Sequence, residues 1–174
     1  MSELDLLEAK IRAAFADTPP PSPDRLRGSD EGDEPYLLEG EFRHVPDWRT
    51  LDAGFLDRAP DGYGSALSFF SAEALRYYLP AFLIADVRGQ LQHTDPLFHL
   101  WHGLTDDLRT RPVNPRRYGQ WTWFEAISAR FSGFTTAEAD AIVSYLRYKA
   151  AHDDLGLDQP KIDQAIRNYW SVRD

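Results

Sequence analysis

The chain has 174 residues, a net charge of −9 and no cysteine, and 43% of its residues are hydrophobic. This length and apolar content suit one domain with its own core, and the absence of cysteine excludes disulfides, thiolate catalysis and zinc sites built on sulfur. The negative charge disfavours nucleic acid and anionic lipid as general partners, because both repel it. The acidic N-terminus has no secretory leader pattern, and the apolar runs are too short to span a bilayer, so we expect a cytoplasmic protein without a membrane partner.

The negative charge is concentrated in the first third of the chain. Residues 1–64 carry 15 acidic and 7 basic side chains, whereas residues 65–174 carry 13 and 12. A folded core does not need this excess, which increases repulsion within the compact state. The imbalance therefore calls for an explanation beyond folding.

The chain begins with one helical pattern followed by a long polar loop. Apolar residues at spacings of three and four over residues 4–15 predict a first helix that begins after Ser2. The prolines in 18–23 end it, and the acidic stretch 28–34 has no periodicity. We therefore expect a proline-rich and acidic surface loop at about 17–34.

Two short helices are expected next, near 34–45 and 47–56, followed by a turn cluster at 60–64. The central element is a helix at about 72–88. Ser71 stands at its N-cap position, Pro80 lies in its middle, and it is apolar on almost every side. A helix of this kind is buried, so the rest of the chain is expected to pack around it.

The beginning of this helix also carries a family resemblance. Residues 70–82 read Phe-Ser-Ala-Glu-Ala-Leu-Arg-Tyr-Tyr-Leu-Pro-Ala-Phe. They resemble a signature, Phe-Ser-x-Glu-Ala-x-Arg-Tyr-Tyr-Leu-Pro-Ala, of an uncharacterised family of small bacterial proteins. The resemblance covers residues 1 to about 150, and it implies a bacterial source and a single domain. It implies no activity and no functional residues.

The second half of the chain continues the helical pattern. Asp95 and Pro96 predict the start of a helix over 97–104, and a basic loop with four arginines follows at 109–117. Residues 118–131 are typical of either a helix or a short strand, with the tryptophans at 121 and 123 expected to pack inside.

Two further helices complete the prediction. Thr135 begins a capping box that opens the first, and Asp158 is expected to cap the last. Helical periods dominate the whole sequence and no internal repeat is visible. We therefore predict an all-α fold, one irregular helical bundle over residues 1–174.

The sequence offers weak candidates for chemistry. It contains no nucleophile elbow, P-loop or dinucleotide fingerprint, so we expect no cofactor and no enzyme of those classes. His99 and His102, with Asp106 if the helix continues through Gly103, have a spacing that could hold a metal ion. They are otherwise ordinary surface residues of a short helix. This metal-binding or metal-dependent function is the alternative hypothesis.

Arginines suggest two anion sites. Arg76 beside Tyr77 and Tyr78 could line an anion pocket, or could instead be a buried arginine that stacks on an aromatic ring and pairs with a carboxylate. The loop 109–117 could bind phosphate, or could pair with the acidic N-terminal part of the chain.

The charge imbalance leads to the main functional hypothesis, a non-enzymatic acidic module that binds another protein. An acidic surface would steer a basic partner, and aromatic side chains would anchor it. One form of such a module is an immunity or antitoxin-like protein that masks a basic toxin. The hypothesised surface comprises Asp30, Glu31, Asp33, Glu34, Tyr36, Glu39, Glu41 and Trp48.

Overall fold

The computed structural model describes residues 1–172 apart from the side chain of Tyr118, and these residues contain ten α-helices and no β-strand. The all-α prediction is therefore confirmed. The helices belong to two compact units, Met1–His99 and Leu100–Asp174. That the whole chain is one domain stays a prediction.

The first unit contains five complete helices, a short 3₁₀ helix and the start of a sixth helix. These are α1 (Glu3–Ala14), α2 (Glu34–Phe42), the 3₁₀ helix Trp48–Thr50, α3 (Ala53–Arg58), α4 (Ala66–Phe69), α5 (Ala72–Val87) and α6 (Pro96–Trp101). The predicted first helix is confirmed. The Ser2 hydroxyl accepts a hydrogen bond from the Asp5 amide at 3.1 Å, and the Asp5 carboxylate accepts one from the Ser2 amide at 3.0 Å. This reciprocal pair is the capping box that starts α1.

The helix predicted at 47–56 is not continuous in the structure. Two aspartates divide it. The Asp47 carboxylate accepts a hydrogen bond from the Arg49 amide, and the Asp52 carboxylate accepts one from the Phe55 amide, each at 2.9 Å. Each carboxylate caps a new start, so a 3₁₀ turn and α3 replace one helix. The apolar pattern is shared by both pieces, which is why it suggested a single element.

The central helix α5 is buried as predicted. The Ser71 hydroxyl accepts a hydrogen bond from the Ala74 amide at 3.0 Å, and Gly89 ends the helix with φ +68°. Every residue from Tyr77 to Ala85 is buried. Helices α1 and α3 and the 3₁₀ helix contact α5. Pro80 is therefore tolerated inside a helix whose surroundings hold it in place.

A buried carboxylate holds the segment that precedes α6. Asp57 is 7% exposed and accepts hydrogen bonds from the backbone amides of Gln92, His93 and Thr94 at 2.8–3.0 Å. Burial alone raises the pKa of this carboxyl, but the three backbone donors outweigh it and hold the pKa below its usual value. Asp57 thus joins the end of α3 to the segment 92–94.

The second unit is built from four further helices and a terminal π-helix. These are α7 (Pro115–Tyr118), α8 (Trp123–Phe131), α9 (Thr136–Ala151), α10 (Gln159–Ala165) and the π-helix Ile166–Trp170. The open choice for 118–131 is resolved in favour of helix from Trp123 onward, because Thr122 and Glu125 form a capping box. The predicted capping box at Thr135 is also confirmed.

One predicted boundary and one predicted capping bond in this half are wrong. Helix α6 ends at Trp101 rather than at residue 104, since Gly103 has φ +88° and leaves helical geometry. Asp158 stands at the N-cap position of α10, but its side chain makes no capping hydrogen bond. Its backbone amide instead donates to the Asp153 carboxylate at 2.8 Å.

The core of the second unit is organised around Trp170, which is 2% exposed. Its ring centroid lies 4.8 Å from that of Phe131, and its indole Nε1 donates a hydrogen bond to the Leu100 carbonyl at 2.9 Å. Nearby, the Asn168 amide donates to the Leu104 carbonyl at 2.9 Å and to the Asp106 carboxylate at 2.8 Å. These bonds satisfy buried polar groups and tie the last turn to the segment after α6.

Candidate functional site

Part of the predicted acidic surface is neutralised within the first unit. Glu39 is half-buried and accepts hydrogen bonds from the guanidinium groups of both Arg27 and Arg43. Glu34 accepts a hydrogen bond from the Ser65 hydroxyl at 3.1 Å. The two arginines neutralise Glu39, which therefore contributes less to a surface that would attract another molecule, whereas the hydroxyl partner of Glu34 is uncharged.

The remaining acidic residues are exposed: Asp30, Glu31, Asp33 and Glu41. Asp30 accepts a hydrogen bond from Arg27 at 3.0 Å, and its side chain is 80% exposed. The Glu41 carboxylate accepts a hydrogen bond from the Asp61 amide at 3.1 Å. Exposed ion pairs of this kind are weak and screened by salt. Their negative charge therefore still acts on the surrounding solvent.

Of the two predicted aromatic anchors, Tyr36 is exposed and Trp48 is not. Tyr36 is 51% exposed, its neighbour Leu37 is 38% exposed, and the Arg27 guanidinium lies 4.5 Å from the Tyr36 ring centroid. Trp48 is 1% exposed. The prediction that Trp48 anchors a partner is wrong, because a docking partner cannot reach a side chain with almost no solvent-exposed surface.

The pair of tyrosines in α5 is structural. Tyr77 donates its hydroxyl hydrogen to the Pro46 carbonyl at 2.9 Å, and Tyr78 donates to the Val45 carbonyl at 3.0 Å. Burial raises the pKa of Tyr78 to about 12. Both tyrosine hydroxyls of the predicted anion pocket therefore donate to backbone carbonyls, and Arg76 beside them is half-buried. The two hydroxyls hold the segment between α2 and the 3₁₀ helix against α5.

The three residues of the metal hypothesis do not share one helix. His99 lies in α6, His102 follows its end, and Asp106 lies beyond Gly103. The Asp106 carboxylate accepts hydrogen bonds from Arg167 at 2.8 Å and from Asn168 at 2.8 Å, and these bonds hold its pKa below the usual range. Among residues 1–172, no group of three or more histidine or acidic side chains is arranged to hold a metal ion. Metal binding through His99 and His102 stays a prediction.

The basic loop 109–117 makes contacts of its own in the second unit. Arg109 lies 4.8 Å from the ring centroid of Phe124, and its guanidinium is 3.5 Å from the Asn168 side-chain oxygen. The expectation that Trp121 packs inside is wrong, since it is 52% exposed, whereas Trp123 is half-buried against His102. The loop is held at its base by backbone pairing between residues 111–113 and 121–123.

The first unit also contains a cleft that the sequence did not reveal, with a volume of about 290 Å³. Its charged wall comes from three arginines that are far apart in the chain and from two acidic residues: Arg12, Arg49, Arg88, Glu8 and Asp52. Apolar side chains of α3 and α5, among them Leu56 and Ile84, form another wall, and Trp48 also lines the cleft. Glu8 and Arg12 lie one helical turn apart in α1, but only the fold brings Arg49 and Arg88 to them.

Glu8 organises the arginines of this cleft. Arg12 donates to its carboxylate at 2.9 Å, and Arg88 donates to its other oxygen at 2.6 Å. Burial raises the pKa of Glu8, but the two guanidinium groups outweigh that effect and hold the pKa below its usual value. Glu8 is therefore ionised at neutral pH and fixes Arg12 and Arg88 side by side.

No helix within residues 1–172 is long and apolar enough to cross a membrane.

Three comparisons with known proteins bear on the identity of the chain. No curated protein and no solved structure matches the chain. A model of a family of unknown function, DUF6714, matches residues 3–174, which extends beyond the range of about 150 residues expected from the resemblance. The chain therefore belongs to the family of unknown function DUF6714.

Proposed function

We propose that the chain is a non-enzymatic module that binds a basic protein through the exposed acidic segment 30–37. The observation that carries the proposal is the exposure of Tyr36 and Leu37 in the same short segment as the exposed Asp30, Glu31 and Asp33. Tyrosine is enriched at protein interfaces because it supplies a large rigid surface with a polar end. Exposed carboxylates in the same segment would steer a basic partner and raise its rate of association.

The distribution of ion pairs supports this assignment. Glu39 and Glu34 engage Arg27, Arg43 and Ser65, while the exposed carboxylates of 30–33 lie at the surface. Asp30 also pairs with Arg27, so intramolecular partners account for Glu39 and in part for Asp30, while the carboxylates of Asp30, Glu31 and Asp33 all stay exposed to solvent. A toxin that the module masks is one form that the partner could take, and a basic binding face is what all such partners share.

The test uses two matched variants. The first reverses Asp30, Glu31 and Asp33 to lysine, and the second reverses Asp140, Asp154 and Asp163. All six residues are exposed, and both variants change the net charge by the same amount. A protein captured from lysate of the source cells is purified, and its association rate with each variant is measured at several salt concentrations. We expect the first variant to lower the association rate at least about tenfold at low salt and to flatten its salt dependence.

The second variant distinguishes a specific surface from the charge of the whole protein. An equal loss in both variants would mean that net charge alone drives the association, which contradicts the proposal. A Tyr36→Ala variant should raise the dissociation rate by weakening the anchor, with little change in the association rate. Unchanged kinetics in both the first variant and Tyr36→Ala would exclude this segment as the binding surface.

A further inference from the structure

The arginine loop of the second unit, defined as residues 109–121, carries a concentrated positive charge. Residues 108–124 contain four arginines and no acidic residue, although the net charge of the chain is −9. All four arginines are exposed to solvent. Local positive charge of this density attracts negatively charged groups of other molecules.

Hydrogen bonds give this loop a defined shape. Its two ends pair in an antiparallel bridge, in which the Val113 amide donates to the Trp121 carbonyl at 2.9 Å. The Asn114 side chain accepts a hydrogen bond from the Arg116 amide at 3.2 Å, and this cap starts the single turn of α7. A surface that is ordered before binding loses less conformational entropy when it binds.

Two of the four arginines keep their guanidinium groups available. Among the residues that the structure describes, no acceptor receives a hydrogen bond from the side chain of Arg111 or Arg116. Asp107 interacts electrostatically with Arg111, but its carboxylate accepts a hydrogen bond from the Thr105 hydroxyl at 2.6 Å. A guanidinium group has five N–H donors, so both arginines can bind the carboxylates of a partner.

Trp121 adds an aromatic surface to the same loop. Its side chain is 52% exposed, whereas Val113, which lies opposite it in the bridge, is half-buried. Opposite residues of an antiparallel pair project to the same side, so the bridge fixes the position from which the indole projects. Tryptophan and arginine are enriched among the residues that dominate the binding energy of protein interfaces. The composition of the loop is therefore that of an interface.

The charge of the whole chain restricts the class of partner. A nucleic acid presents a continuous row of phosphates, which a chain of charge −9 repels, and Trp121 offers a stacking surface to one base only. Two copies of the chain repel each other for the same reason. A short acidic segment of another protein meets the local positive charge of the loop, and an apolar residue within it can cover the indole.

We propose that the arginine loop binds an acidic segment of a protein that is not a copy of this chain. Carboxylates of the segment accept hydrogen bonds from Arg111 and Arg116, and an apolar side chain of the segment packs on Trp121. The loop belongs to the second unit, while the segment 30–37, proposed above to bind a basic protein, belongs to the first. The two proposals therefore stand or fail independently.

The probe is the peptide Glu-Glu-Glu-Leu-Glu-Glu-Glu, and the readout is the indole N–H signal of Trp121 in a nitrogen–proton correlation spectrum. The chain has five tryptophans, and the signal that disappears in Trp121→Phe is that of Trp121. Titration should shift this signal and saturate with a Kd of about 1 mM or tighter at low salt. The same peptide with glutamine in place of glutamate should bind at least about tenfold more weakly, because its acceptors are uncharged.

Variants of the protein and of the probe test the two parts of the surface. Arg111→Gln and Arg116→Gln should each weaken binding at least about threefold, since each removes a charge-assisted donor. Arg147→Gln is the matched control, because Arg147 is an exposed arginine of α9 in the same unit, and it should leave the affinity unchanged. Alanine in place of the leucine of the probe should weaken binding about threefold, because less apolar surface covers Trp121.

Several results would overturn the proposal. The Trp121 signal could stay in place with the acidic peptide up to about 10 mM, a range in which even a weak site is detected. Arg147→Gln could weaken binding as much as Arg116→Gln. An oligothymidylate of the same charge could bind more tightly than the peptide, which would make the loop a nucleic-acid site. The parent could form a dimer that Arg116→Gln abolishes, which would identify a second copy as the occupant. The first and third of these tests use the parent protein, so a variant that folds poorly does not decide the outcome.

Discussion

Two buried tryptophans, one in each unit, differ in a single hydrogen bond. Trp170 in the second unit donates its indole hydrogen to the Leu100 carbonyl at 2.9 Å. Trp48 in the first unit is equally buried and has no acceptor among residues 1–172, while it lines a cleft with three arginines. The same side chain therefore completes a core in one unit and leaves a donor beside a cleft in the other. Burial alone thus does not decide whether the polar atom of a tryptophan has a hydrogen-bond partner.

The largest expected effect tests whether the two units depend on each other. Replacing Trp170 or Phe82 by alanine removes a large buried side chain from the second or the first unit, at a cost of about 3–5 kcal/mol each. If the chain unfolds as one domain, both variants lower the midpoint of a single thermal transition. Calorimetry that resolves two transitions, each lowered by only one variant, would contradict the single-domain prediction.

The next effect concerns the carboxylate that joins α3 to the segment 92–94. Asp57→Ala leaves three backbone donors without an acceptor and should lower the free energy of unfolding by about 3 kcal/mol or more. Asp57→Asn keeps one oxygen acceptor and should cost less. Chemical unfolding in urea measures both, and equal stability of Asp57→Ala and the parent would contradict the structural role of this carboxylate.

The same carboxylate predicts a pH dependence. Since folding lowers the pKa of Asp57, its stabilisation is complete above the usual carboxyl pKa of 3.8. It is lost as the pH falls from there through the lower pKa of the folded state. The parent should therefore lose more stability on acidification than Asp57→Asn does. Parallel stability curves for the two proteins below pH 4 would show that Asp57 contributes nothing to acid unfolding.

A smaller effect sharpens the comparison of the two indoles. Trp170→Phe removes a hydrogen bond and leaves the Leu100 carbonyl without its donor, whereas Trp48→Phe removes a donor that had no protein acceptor. Both changes reduce side-chain volume by the same amount. The first variant should therefore be less stable than the second by about 1–2 kcal/mol. An equal loss of unfolding free energy in the two variants would mean that the hydrogen bond of Trp170 makes no net contribution to stability.

The smallest effect tests the tyrosine pair of α5. Tyr78→Phe removes the hydrogen bond to the Val45 carbonyl and keeps the ring among its aromatic neighbours, so it should cost about 1 kcal/mol. Tyr36→Phe, at an exposed position, is the control and should change stability by less than about 0.5 kcal/mol. The two values, obtained from urea unfolding, should be clearly different.

Local signals in the sequence predicted most of the helices. Ser2, Ser71 and Thr135 are caps in the structure as they are in the pattern, because a cap depends on residues only two or three positions away. The same locality caused the errors. Asp47 and Asp52 are also caps, and they divided a stretch whose apolar residues suggested one helix. The short helix α4 was missed because four residues carry no period.

The candidate sites were harder to predict because they depend on contacts between distant positions. Glu39 is one of six similar carboxylates in sequence; Arg43 lies four positions after it, but only the fold shows that Arg27 also engages it. The approach of Arg88 to Glu8 likewise joins residues 80 positions apart, whereas Arg12 lies only one helical turn from Glu8. A contact as distant as that of Arg88 has no period and no spacing that a single sequence could display.

The turn before α4 contains a position at which sequence variation should be almost forbidden. Gly64 has φ +64°, and a Cβ atom there would lie 2.8 Å from the Asp57 carbonyl oxygen. Every other amino acid would therefore meet both an unfavourable backbone conformation and a rigid backbone atom. Gly40 and Gly133 face open space and have ordinary backbone angles. Across the family, evolution should accordingly keep glycine at position 64 while it replaces glycine freely at positions 40 and 133.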